Sequence, residues 1–229
     1  AAGNPAPAAK AATMAPTDAQ AAATTLVYGL LSDSRYAYRP MALDDKLSAD
    51  IFRRYFESLD NDKLFFTQAD MTRFAPLRSR LDDAIKQQDL KPAYEIFNTY
   101  VRRVDERAAF ARSLLAKPFD FSAKDSWAFD REKANWAPDQ AALNDIWRKY
   151  VKNDALRLKL AGRAPDDIRK TLDKRYANLL DSINELKGEE VFQSFLNAYA
   201  GVIDPFREGG QTGASTGFQL AAFDLERDT

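Results

Sequence analysis

The chain of 229 residues contains no cysteine and no histidine. The first absence excludes disulfides, cysteine nucleophiles and thiolate metal ligands. The second removes the commonest general base and the commonest metal-binding side chain. A Ser-His-Asp triad and a histidine-based zinc site are therefore impossible within this chain, and only carboxylates, Lys, Tyr, Ser and Thr remain for chemistry. Long hydrophobic runs are missing too: no stretch approaches the roughly 20 apolar residues that span a bilayer, so no membrane span is expected. Nor is there an excess of one charge. The 33 Lys and Arg stand against 34 Asp and Glu, a formal net charge of -1, whereas nucleic-acid binders usually carry a basic excess. No nucleic-acid partner is expected, and the sequence implies no cofactor.

What is present is ordinary globular composition, 45% hydrophobic and 29% charged, at a length suited to one large domain or two small ones. Residues 1–25 (AAGNPAPAAKAATMAPTDAQAAATT) are rich in Ala, Pro and Thr. With almost no large apolar side chain they read as a disordered arm, unable to bury enough surface to offset the entropy of ordering. The arm lacks the charged and apolar regions of an intact signal peptide. It fits equally an ordinary disordered terminus or the new terminus left by signal cleavage in an exported chain.

From Leu26 the helical period dominates, and Leu26, Leu30 and Leu31 begin an apolar stripe. Leu47, Ile51, Tyr55 and Leu59 recur every four residues, widened by Phe52 and Phe56, with Ser48 or Asp45 positioned as cap. Asp60-Asn61-Asp62 ends that helix in a turn. Thr67 with Asp70 forms a variant capping box for a short helix, and Pro76 marks the next break. Leu77, Leu81 and Ile85 then give a short helical face. Pro92 opens a long helix carrying Ile96, Phe97, Tyr100, Val101, Val104, Ala108 and Ala111. Pro138 starts another, in which Leu143, Ile146, Trp147, Tyr150, Val151, Leu156, Leu158 and Leu160 cover a broad face to Gly162. Pro165 restarts the chain for Ile168, Leu172, Tyr176, Leu179, Leu180, Ile183 and Leu186, closed by Lys187-Gly188. A last helix holds Val191, Phe192, Phe195, Leu196 and Tyr199. No alternating run is long enough to propose a sheet, so the expected class is all-α.

One excursion interrupts this order. Residues 118–137 carry Phe119, Phe121, Trp127, Phe129 and Trp136 without helical spacing. A structureless loop of that length is uncommon in a compact domain, so its rings are expected to pin it down with a short strand or turn. Beyond Pro205, FREGGQTGASTG reads as a flexible linker, and FQLAAFDLERDT is too short to fold alone.

Three constellations invite a chemical reading. Asp60, Asp62 and Asp70 superficially suggest a cation loop, but Leu64 and Phe65 stand where an EF-hand needs a ligand and a Gly, so a plain turn is expected. Arg102, Arg103 and Arg107 with Asp105 and Glu106 read as a solvated charged face rather than an anion site. Trp127, Phe129, Trp136 and Trp147 read as anchors of the loop rather than a stacking site. A Ser-Lys dyad is chemically conceivable, yet nothing marks a strained nucleophile turn, a desolvated Lys or an oxyanion hole. No residue is assigned a catalytic, cofactor-binding or metal-binding role.

Three stretches carry a resemblance. They are IFRRYFESLDNDKLFFTQADMTRF (Ile51 to Phe74), KPFDFSAKDSWAFDREKANWAPDQAALNDIWRKYVKNDALRLKLAGR (Lys117 to Arg163), and TLDKRYANLL through EEVFQSFLNAYAGVIDP. Together, in order and with similar spacing, they resemble the N-terminal region of the bacterial tail-specific proteases, the carboxy-terminal processing peptidases, over roughly Leu26 to Pro205. The specific features are the Leu-Asp turn, Phe-Asp-Phe at 119–121, the Asp130-Arg131 pair, and Trp136 ahead of the Leu-x-x-x-Trp at 143–147.

The resemblance implies an organisation of a disordered arm (1–25), an N-terminal helical domain (26–205) and an unmatched Gly-rich tail (206–229). It further implies a periplasmic serine endopeptidase that acts on proteins with apolar C-termini. In that family a PDZ domain and a protease core with a Ser-Lys pair follow the helical domain, which forms part of a bowl-like body and can dock an adaptor lipoprotein. Where the family continues Asp-Pro-His-Thr, this chain reads Asp204-Pro205-Phe206-Arg207, and the PDZ and catalytic segments are absent. A truncated gene, a frameshift, an engineered fragment or a split protein would all give this pattern. The chain alone is expected to be inactive, as a scaffold or docking surface, with a stand-alone helical adaptor as the alternative.

Overall fold

The computed structural model describes residues 13–37 and 40–203. Among them are eight α-helices and one 3₁₀ helix, and an isolated parallel bridge pairs Thr67 with Ala137. The all-α expectation holds. The helices are α1 (Asp18–Leu31), α2 (Asp45–Asp60), α3 (Gln68–Phe74), α4 (Leu81–Lys86), α5 (Lys91–Leu114), α6 (Gln140–Leu160), α7 (Pro165–Asn184) and α8 (Gly188–Ile203), with the 3₁₀ turn Ala75–Ser79 between α3 and α4.

The 24-residue α5 is the central post, about 36 Å long at 1.5 Å per residue. It packs against α6, α7 and α8, while α2 lies along α8. The apolar period explains this. Ile96, Phe97, Tyr100, Val101, Val104, Ala108 and Ala111 all turn inward from α5, and Leu47, Ile51, Phe52, Tyr55, Phe56 and Leu59 from α2. Polar tips on these side chains find partners. The Tyr55 hydroxyl donates to the Ala93 carbonyl at 2.9 Å, and its ring meets Phe195 of α8 edge-on at 5.4 Å. On the far side of α5, the Tyr176 hydroxyl of α7 donates to buried Asp154 of α6 at 3.0 Å, which also pairs with Arg175 at 3.2 Å.

Several sequence expectations shift. The boundary of the disordered arm at residue 25 is wrong, because Asp18–Leu31 is helical with a full Thr17/Gln20 capping box. Alanine is the best helix former, and polar bonds add to the packing of Met14, Ala23, Val27, Tyr28 and Leu31 against the core in fastening the segment. Met14 and Asn98 exchange two hydrogen bonds, and Gln20 meets the Tyr94 hydroxyl at 2.6 Å and donates to Glu189 at 3.2 Å. Counting large apolar residues misses such a helix. Residues 1–12 of the arm lie outside the described residues, as does the 206–229 tail.

The caps also differ in detail. Asp44 caps α2, accepting from the Leu47 N–H at 2.9 Å, and α6 starts at Gln140, past Pro138, with Asp139 as its cap accepting from the Ala142 N–H at 2.8 Å. Gly162 takes the left-handed φ of +86° that suits a glycine after a helix. Gly188 instead opens α8, while α7 ends earlier at Asn184.

Candidate functional site

The Asp60 turn forms the polar centre of the domain. Asp60, the last residue of α2, is only 3% exposed, and its carboxylate accepts three consecutive backbone N–H groups. Leu64 donates at 2.7 Å, Phe65 at 3.0 Å and Phe66 at 2.9 Å. This clamp folds the chain back through Lys63, which adopts a left-handed φ of 55°, uncommon for a residue with a side chain. Burial pushes the Asp60 carboxyl up to about 6, with the three N–H groups pulling the other way. The clamp turns Phe65 and Phe66 into the core, where they meet Tyr100 at 5.6 and 6.0 Å. Trp147 of α6 closes the assembly by donating its indole N–H to the Leu64 carbonyl at 2.6 Å.

The three aspartates that superficially suggested a cation loop therefore serve separate purposes. Asp60 binds backbone. Half-buried Asp62 has its carboxyl raised by desolvation, with Arg131 opposing. Asp70 completes the capping box of α3 and takes a bidentate pair from Arg103 at 2.9 and 2.7 Å. Burial would raise the Asp70 carboxyl, but the Arg103 and Thr67 hydrogen bonds win and hold it below its usual value. Among the described residues no group of three or more acidic side chains is arranged to hold a metal ion.

The arginine trio is not a uniformly solvated face, which corrects that expectation. Arg103 ties α5 to α3, and Arg107 is nearly buried, donating to Asn144 and Gln140 of α6 at 2.6 and 3.0 Å. Arg102 donates to Thr99 at 3.1 Å. Arginine's planar fork suits such fixed cross-links better than a solvated patch does. Sequence could not separate the two, since helix-face periodicity says nothing of what lies opposite.

The 118–137 excursion is pinned by rings, as the sequence led us to expect, but unevenly. Trp127 packs edge-on against Tyr150 at 5.3 Å, and Trp136 against Phe66 at 6.2 Å. The loop leaves through the Gln68 N–H to Ala137 carbonyl bond at 2.8 Å. Phe129 anchors nothing and is 70% exposed.

The surface carries two further departures. Leu156 and Leu160 point outward instead of joining the core, Leu160 at 78% exposure. Trp147 and Leu156 are nine positions apart, half a turn out of phase at 3.6 residues per turn. The apolar run at the end of α6 thus covers two faces. A cleft of about 100 Å³ lies between this outer face and the loop, lined by Phe121, Trp127 and Leu156 with Asp125, Lys149 and Lys152. On α1, Val27, Tyr28 and Leu31 pack on the core beside buried Gln20 and Thr24, while Leu26 and Leu30 are exposed.

The strongest polar groups of this helical body are spent on its own turns and cross-links, and its outer faces display leucine. The chain belongs to the family described as the tail-specific protease N-terminal domain, whose model matches residues 30–206. It is 36% identical over 169 residues to the tail-specific protease of Haemophilus influenzae (strain Rd), a match covering 73% of this chain and 24% of that protein. The chain thus spans about a quarter of the length of that curated relative.

Proposed function

We propose that this chain acts as the non-catalytic helical domain of a periplasmic serine endopeptidase that processes or degrades proteins from apolar C-termini. Its role is scaffold and docking surface, for the PDZ and protease domains on one hand and an adaptor on the other. The observation that carries the reading is the family match across the helical body, and the leucines displayed on α1 and α6 support it. Exposed apolar faces rimmed by polar residues mark interaction sites on folded domains. No described helix is long and apolar enough to cross a membrane, which is compatible with a periplasmic protein.

The purified chain, incubated with a reporter protein ending in an apolar tail, is expected to leave it intact. Added to the protease and PDZ portion of a tail-specific protease that lacks its own helical domain, it is expected to raise the rate of tail-dependent cleavage. Specific cleavage by the chain alone, surviving rigorous purification, would overturn the non-catalytic assignment. A reconstituted mixture no faster than the protease portion alone would overturn the scaffold.

A further inference from the structure

The outer face of α6 and the adjoining loop combine three features that the packing of the domain does not use. The first is the cleft of about 100 Å³. An enclosed cavity of about 150 Å³ accepts a benzene ring, so this volume suits one branched aliphatic side chain better than an aromatic one. The second is the pair Leu156 and Leu160, one helical turn apart and both open to solvent. The third is charge. Helix α6 carries Arg148, Lys149, Lys152, Arg157 and Lys159 against Asp145 and Asp154, and Asp154 is buried and paired with Arg175. Around the cleft itself Lys149, Lys152 and Lys159 stand against Asp145 and Asp125, a small cationic excess on a chain whose net charge is -1.

The Lys149 pair on this face is exchangeable. Lys149 meets Asp145 at 3.4 Å with both side chains well exposed. An exposed pair of this kind contributes little, so an incoming carboxylate can replace it at small cost. Lys152, itself mostly covered, meets Asp125 of the loop. Lys159 lies over the Phe121 ring at 4.6 Å, which places a cation at the rim beside an apolar wall.

We propose that this surface docks a partner-protein segment that presents leucine-like side chains at one-turn spacing, flanked by Asp or Glu. One aliphatic side chain enters the cleft, a second packs on Leu160, and the carboxylates meet Lys149 and Lys159. The proposal rests on the docking role above and gives the partner's chemistry.

The test is fluorescence anisotropy with the full chain and a labelled glutamate-rich helical peptide carrying two leucines at positions i and i+4. Saturable binding is expected, weakening with added salt. Replacing both peptide leucines by serine, or its glutamates by lysine, is expected to weaken binding about tenfold or more. The double variant Leu156→Glu/Leu160→Glu and the variant Lys149→Glu/Lys159→Glu should do the same while melting like the parent, since all four side chains reach solvent. Absence of saturable binding, equal binding of the lysine peptide, or binding untouched by both variants would overturn the proposal. None of those outcomes bears on whether the domain accelerates a protease in trans, so the two readings fail independently.

Discussion

Two irregular segments of this protein are both rich in aromatic residues, and they behave in opposite ways. The turn from Asp60 to Thr67 is buried at Asp60 and again from Leu64 onward, with Leu64, Phe65 and Phe66 each at most 3% exposed. The excursion from 118 to 137 runs over the surface, its rings only partly covered and Phe129 bare. The difference lies in how the backbone is satisfied. A buried turn needs a partner for every N–H, and one carboxylate supplies three. The longer segment leaves most of its backbone to water and is held at points: by Trp127 on Tyr150, by Trp136 on Phe66, and by the Arg131 guanidinium donating to the Asp62 carbonyl at 3.1 Å. A segment held at points can line a cleft and adjust to a partner, whereas a clamped turn can only brace the core.

The comparison breaks most directly at Asp60. Replacing it with Ala leaves three buried N–H groups without an acceptor, each costing about 1–3 kcal/mol less whatever water recovers. Asp60→Ala is expected to lose about 4 kcal/mol in urea unfolding followed by far-UV circular dichroism. A loss under about 1 kcal/mol would mean that the carboxylate does not hold the turn.

Asp60→Asn tests the same group through pH. The folded-state carboxyl titrates at about 6, above its unfolded value of about 3.9. The folded state therefore binds more protons between those values, and this group's contribution to stability is greatest below pH 4 and falls as pH rises toward 6. Asn cannot titrate, so the stability gap between wild type and Asp60→Asn is expected to be about 1–2 kcal/mol larger at pH 5 than at pH 7.5. Asp70, whose carboxyl is depressed by Arg103, moves stability the other way, but identically in both proteins. A gap that does not change with pH would show that Asp60 stays ionised throughout.

How far these features were legible depends on the information periodicity can carry. The inward stripes of α2, α5, α7 and α8 are regular enough that Ile51, Tyr55, Phe97, Leu172 and Phe195 could be assigned to helical faces from spacing alone, and all are buried. The Thr67–Asp70 capping box was equally readable. Other features depend on what a side chain meets across space. Asp60 reads as a turn residue, and nothing in the sequence distinguishes an Asx turn on the surface from a buried carboxylate that gathers three N–H groups. The same gap hid the cross-links of Arg103 and Arg107, and the fastening of α1 by Gln20 and Asn98. At the end of α6, leucine on alternate positions suggested one broad face, and only the placement of Trp147 shows that Leu156 and Leu160 lie on the other side. The family resemblance reached further than any of these, because it used unusual residues in a fixed register rather than general patterns.

On the loop side the effects are smaller. Trp127→Ala removes an edge-on ring contact with Tyr150 and a stacked guanidinium from Arg131 at 5.8 Å. It is expected to cost about 1 kcal/mol of global stability, while speeding limited proteolysis within 118–137 well before the helices are cut. Unchanged proteolysis would mean that Trp127 does not hold the loop, and a loss as large as that of Asp60→Ala would erase the distinction between the two segments.

Phe129→Ser is the limiting case. The ring buries little of its surface, so its removal is expected to change unfolding free energy by less than about 0.5 kcal/mol and to leave the proteolysis pattern as it was. Exposed aromatic rings on a surface loop are common in binding surfaces, because they offer large contact area with few rotatable bonds to immobilise. If Phe129→Ser leaves the fold untouched yet weakens capture of the glutamate-leucine peptide, the bare ring belongs to the docking surface of α6. If it affects neither, that surface ends at Trp127.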